Sequence, residues 1–230
     1  MFDPNRKSTG TILGRLGLVV FGISTVCAGD FASYRGFEFG MTLAAGARKA
    51  GTSVSVARVI HQKPASIQEL DWRPSAPIDS PKADPLQDGI LSFYNGELYR
   101  ITITYDRYKV EGMSVADMVK GVSATYGAAT EPMVDIAYHS NYGEITPVLA
   151  RWEDSEYSYN LIQTGNRSSF AMILYSKRLD SLAQTAIAES LRLDALDAPQ
   201  KALALQKERD DESRAKLEKT RSVNLPNFRP

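Results

Sequence analysis

Ile90 to Tyr105 reads ILSFYNGELYRITITY. Two β-rich runs flank Asn95-Gly96, the dipeptide that best tolerates the two positive φ angles of a type I′ turn. Folding the segment about that turn pairs Phe93 with Leu98 and Ser92 with Tyr99. Strict alternation then puts Ile90, Tyr94, Tyr99, Ile101, Ile103 and Tyr105 on one face. The other face carries Leu91, Phe93, Leu98, Arg100, Thr102 and Thr104. The first face reads as core. The second is apolar near the turn and polar away from it. Left uncovered, its Phe93, Leu98 and Arg100 have the composition of a binding hot spot. Covered by a C-terminal helix or a second unit, the same residues are packing contacts.

Upstream, 54–60 (VSVARVI) and 66–72 (SIQELDW) read as strands. Pro74, Pro77, Pro81 and Pro85 mark an exposed loop over 74–86, because proline cannot donate to a sheet ladder. Earlier still, 30–40 (DFASYRGFEFG) reads as a short strand. Thr42 then caps a helix that runs through LAAGARKA to Gly51. Gly46 inside it weakens the helix by about 1 kcal/mol relative to alanine.

Downstream the plan recurs. Ser114 and Asp117 have capping-box spacing, and Val115, Met118, Val119 and Val122 follow at helical spacing up to Gly127. Strand patterns occupy 133–138, 147–153, 156–162 and 169–176. Val148/Ala150/Trp152, Tyr157/Tyr159/Leu161 and Phe170/Met172/Leu174 alternate within them. The end of the chain is helical over 182–196, with Pro199 suited to start another helix. The mixed charges of 200–221 predict a solvated helix or frayed tail, and 224–230 (NLPNFRP) predicts disorder.

The fold class is therefore α+β. It has two helix-plus-antiparallel-sheet units, 29–110 and 111–178, which either form separate sheets or share one. A helical, charged segment over 179–230 follows. Gly40-Met41-Thr42 and Gly112-Met113-Ser114 each lead a helix that closes on a glycine, 72 residues apart, and strands with a tryptophan (Trp72, Trp152) follow each. Over 34–176 this arrangement resembles the β-lactamase-inhibitor-like fold, shared with the small lipoprotein of outer-membrane β-barrel assembly. The resemblance implies helices on one sheet face, an open face that grips a partner protein, and no catalytic residues. The chain lacks the cysteines of the inhibitors. It is also similar to secreted bacterial proteins with a YRGF-EFGM start and an FYNGELYRI hairpin, a likeness that brings no activity.

The N-terminus reads as an address. Arg6, Lys7 and Arg15 precede an apolar run, Leu16 to Val26, and small residues close it at Cys27-Ala28. That is the secretory pattern, with cleavage after Ala28 and export to the periplasm or medium as its consequences. The run is about half the ~20 residues a membrane-spanning helix requires. Cys27 is the only cysteine in the chain. It stands where a lipoprotein carries its acylated cysteine, although Ser24 and Val26 fit a lipobox poorly. Removed with the leader, it leaves no disulfide, thiolate metal site or cysteine nucleophile.

Formal net charge is zero, which argues against nucleic acid as a partner. His61 and His139 lack metal-ligand spacing, no G-x-S-x-G elbow occurs, and no phosphate-binding glycine loop is present. No cofactor, metal or catalytic residue is expected on these grounds. Asp71, Glu97, Asp106, Glu111 and Glu156 are scattered, and Glu153-Asp154-Ser155-Glu156 reads as a hairpin turn. The expected function is a non-catalytic module that binds another envelope or secreted protein through the sheet face or the helical tail. Two alternatives stay open. One is a secreted hydrolase with dispersed carboxylates, or with His139 beside Glu144. The other is a structural envelope component tethered by a lipid on Cys27.

Overall fold

The structure, a computed structural model, describes residues 29–74, 85–137, 145–164, 169–227 and 229. The leader with Cys27, the centre of the proline-rich loop, and His139 with Glu144 lie outside the described residues. Along the chain come β1 (Ser33–Tyr34), β2 (Phe37–Glu38), α1 (Leu43–Lys49), β3 (Arg58–His61), β4 (Ile67–Trp72), β5 (Leu86–Tyr94) and β6 (Glu97–Tyr105). Then follow α2 (Val115–Tyr126), β7 (Asp135–Ala137), β8 (Ile145–Pro147), β9 (Ala150–Glu153), β10 (Tyr157–Thr164), β11 (Ser169–Ser176) and α3 (Lys177–Asn224). The run expected as a strand over 54–60 begins instead with a 3-10 turn, Val54–Val56, capped by Ser53.

The helices start and stop where local chemistry dictates. The Thr42 hydroxyl accepts from the Ala45 amide at the start of α1. Ser114 and Asp117 form a complete capping box on α2, which ends at Gly127. Asn95 and Gly96 hold φ of 49° and 84°, the two positive values a type I′ turn needs.

The two cycles do not make separate sheets. Among the described residues seven antiparallel strands form one sheet in the order β3-β4-β5-β6-β11-β10-β9. Each half is a meander whose last strand lies at the centre, so β6 and β11 join the halves. Segment 40–43 extends this seam: Gly40 donates to the Leu98 carbonyl at 2.8 Å, and Leu98 donates to Met41 at 2.9 Å.

Helices α1 and α2 cover one face. Leu43, Ala47 and Met118 pack there on Leu91, Phe93, Leu98, Ile101, Ile103, Trp152 and Leu161. Helix α3 covers the first half of the opposite face with Leu179, Ala183 and Ile187 against Ile67 and Tyr99. The β7–β8 hairpin lies over the second half, where Ile136 packs with Val148, Ile162 and Ile173.

One backbone irregularity re-sorts the central hairpin. Phe93 pairs with Leu98 as expected, but Ser92 pairs with Arg100 rather than Tyr99. The extra residue in β6 is a bulge, and a bulge turns two consecutive side chains to the same side. Tyr99 and Arg100 thus both face α3, while Leu98, Ile101 and Ile103 all enter the core under α1 and α2. The strict alternation expected for these residues fails at that point.

Candidate functional site

The hairpin face proposed for binding is covered. Phe93 and Leu98 are 0% exposed and Arg100 is 3% exposed. Phe93 lies so close to α1 that a Cβ built on Gly46 would stand 2.9 Å from its ring. Arg100 points the other way. Its Nε and a terminal guanidinium nitrogen each lie 3.0 Å from Asp180 Oδ1 on α3, and Nη1 donates to the Ala137 carbonyl of β7 at 3.0 Å. The guanidinium also lies over the Tyr175 ring. Arg100 is therefore a buried tie between two elements that cover the opposite face, and Phe93 and Leu98 are core under α1 and α2. None of the three reaches solvent.

Several of the carboxylates have local partners or turn roles. Asp71 and Glu69 hold Arg58, and Glu153 holds Lys177 at 2.8 Å. The Asp154 carboxylate accepts from the Glu156 and Tyr157 amides and so closes the β9–β10 turn. His61 Nδ1 lies 2.8 Å from the Ser190 hydroxyl, which ties β3 to α3. Among the described residues no group of three His, Cys, Asp or Glu side chains is placed to hold a metal ion. Nor is any described helix long and apolar enough to cross a membrane.

Two surface features remain. The first is α3 itself. It is one helix of 48 residues with Pro199 inside it, not two helices, and the 3-10 turn Leu225–Asn227 continues a segment expected to be disordered. Strong helix formers surround Pro199, and the carbonyl that proline leaves unpaired is in solvent-exposed helix, where water can serve it. The last buried residue of α3 is Ser190. From Leu191 to Asn224 the helix is almost wholly exposed and extends for about 50 Å at 1.5 Å per residue. Leu182, Leu196, Leu203 and Leu217, all exposed, are separated by multiples of seven residues, with Glu189 and Asp210 at the intervening positions. Lys207, Arg214 and Arg221 stand three residues before Asp210, Leu217 and Asn224, the last three positions of this register. The result is a sparse, heptad-spaced apolar row, broken at Asp210 and flanked by basic residues, on an otherwise polar helix.

The second is a groove of about 410 Å³ beside α2. Met118, Met172 and Val110 form its buried floor. Tyr105 and Tyr126 wall it, and the exposed Arg35 and Lys109 stand at its rim. The Tyr126 ring meets Tyr159 edge-on at 4.9 Å. Burial pushes both phenols above their ordinary range, Tyr159 the further. The Tyr159 hydroxyl donates to the Ser33 carbonyl at 2.8 Å, which anchors the β1–β2 turn next to the groove.

Sequence reasoning reached the helical tail but not its seam, for which the leucine spacing was the available signal. It did not reach the groove, whose walls come from residues 34 to 172. Comparison with known proteins returned no matching family model, no similar curated protein and no similar solved structure.

Proposed function

We propose that this chain is an exported, non-catalytic protein-binding module that engages its partner through the projecting half of α3, Leu191 to Asn224. The observation that carries this reading is the row of exposed leucines on a helix that continues about 50 Å past its last buried residue. Leucines recurring along one side of a helix that is exposed over this length support an interaction surface rather than a packing role within the domain. The partner is a helical protein. Its seam carries acidic residues, because an in-register second copy would oppose Arg214 with Arg214 and Lys207 with Lys207. The resemblance to β-lactamase-inhibitor-like proteins supports binding rather than catalysis. The contact differs, since α3 and β7–β8 occupy the sheet face that family leaves open.

The test is capture of the partner from envelope extract, followed by affinity measurement with the purified pair. Leu203→Asp with Leu217→Asp is expected to weaken binding about a hundredfold, and Arg214→Glu about tenfold. A partner indifferent to all three changes overturns the reading. A self-dimer abolished by the leucine changes replaces the partner with a second copy. Mass spectrometry of the mature N-terminus tests export: Gly29 is expected at the end, and an acylated Cys27 would make the module a tethered one.

A further inference from the structure

We infer that the groove beside α2 binds a single-chain anionic amphiphile, with the alkyl chain on its methionine floor and the anionic end at Lys109 and Arg35. The inference is independent of the role assigned to α3. It begins with two glycines inside helices, each of which weakens its helix by about 1 kcal/mol relative to alanine. Gly46 in α1 has a steric reason, because a Cβ there would meet the Phe93 ring at 2.9 Å. Gly121 in α2 has none of that kind. A Cβ at Gly121 would meet nothing within 4 Å among the described residues, yet the residue lines the groove between Asp117 and Thr125. Gly121 is exposed at the groove's edge, and its missing side chain leaves room for a ligand to approach the backbone there.

The lining decides the ligand class. A volume of about 410 Å³ lies within the range of small-molecule sites. Met113, Met118 and Met172 supply flexible, polarizable surface that conforms to an alkyl chain better than to a rigid ring system. The formal charges on the lining are Arg35, Lys109 and Asp117. Asp117 keeps its charge while it accepts from the Ser114 amide and hydroxyl at 2.8 and 2.6 Å, but two cations against one carboxylate leave the lining net positive, which favours an anion.

Titration of the purified protein with palmitate and, separately, with lysophosphatidylglycerol, both below their micellar concentrations, tests this by calorimetry. Saturable one-to-one binding of either is expected, and the tighter one identifies the source of the anion. Gly121→Leu fills the groove without removing any contact and is expected to weaken binding about tenfold or more while retaining the parent circular dichroism spectrum. Lys109→Glu is expected to weaken palmitate about tenfold and leave uncharged hexadecanol unchanged. No binding of either amphiphile overturns the inference. Undiminished binding by Gly121→Leu does so too, and assigns the apolar contact to the leucines of α3 instead.

Discussion

Arg100 on β6 and Asp180 on α3 form a buried ion pair, with two guanidinium nitrogens 3.0 Å from one carboxylate oxygen. The bulge at Tyr99 is what aims Arg100 at that helix. Breaking a buried pair strands the remaining charge, at about 3–5 kcal/mol. Arg100→Ala is expected to lose stability in that range by urea denaturation. Replacing both partners, Arg100→Met with Asp180→Leu, is expected to recover most of the loss, because no charge is then left buried. Equal loss in the single and double variants would show that packing, not charge, dominates.

Gly46 and Gly121 respond oppositely to alanine. Gly46→Ala is expected to destabilise by about 1 kcal/mol net, since crowding against Phe93 outweighs the gain in helix propensity. Phe93→Leu added to it removes the crowding and partly restores stability. Gly121→Ala has only the propensity gain and is expected to stabilise by up to about 1 kcal/mol. Thermal unfolding of the parent and the three variants separates the effects.

The capping box on α2 makes an acid-side signature. Hydrogen bonds from Ser114 hold the Asp117 carboxyl below its ordinary 3.8. A depressed folded value means that the contribution is complete above 3.8 and disappears as pH falls through the folded value. The stability gap between the parent and Asp117→Asn is expected to be constant near neutrality and to close below that pH. Ser114→Ala should weaken the helix by about 1 kcal/mol near neutral pH.

Tyr159 gives the alkaline counterpart. Its phenol is raised above the ordinary 10.0 by burial, so the folded state holds the proton more tightly than the unfolded chain. Stability is then complete below 10.0 and falls as pH rises beyond it. In an absorbance titration Tyr159 is expected to ionise only with unfolding. Tyr159→Phe removes the bond to Ser33, at about 1 kcal/mol, and flattens the alkaline decline.

Much of the fold was legible because it rests on local chemistry. Thr42, the Ser114–Asp117 box, Gly127 and the Asn95-Gly96 turn each act within a few residues of themselves. The bulge at Tyr99 was not legible, since no residue type signals it. It shifts one ladder position and moves both Ile101 and Ile103 to the face that carries Leu98. The burial of Phe93, Leu98 and Arg100 depends on elements up to 80 residues away, in the case of Asp180. Pro199 misled for a different reason: an exposed helix tolerates a break in its ladder that a buried one does not. Nothing in the sequence sets Gly121 apart from any other weak helix residue, because its groove is built from residues 34 to 172.

The order of the central sheet also bears on how the chain is made. Tyr105 ends β6, and its neighbour β11 begins only at Ser169. During vectorial synthesis, the finished first meander therefore carries an unpaired strand edge along β6. Such an edge invites pairing with another nascent copy. The long sequence separation of the β6–β11 ladder also makes its closure a slow, late event. Fragments that stop near residue 110 are expected to aggregate through that edge, and supplying the second meander in trans should rescue them.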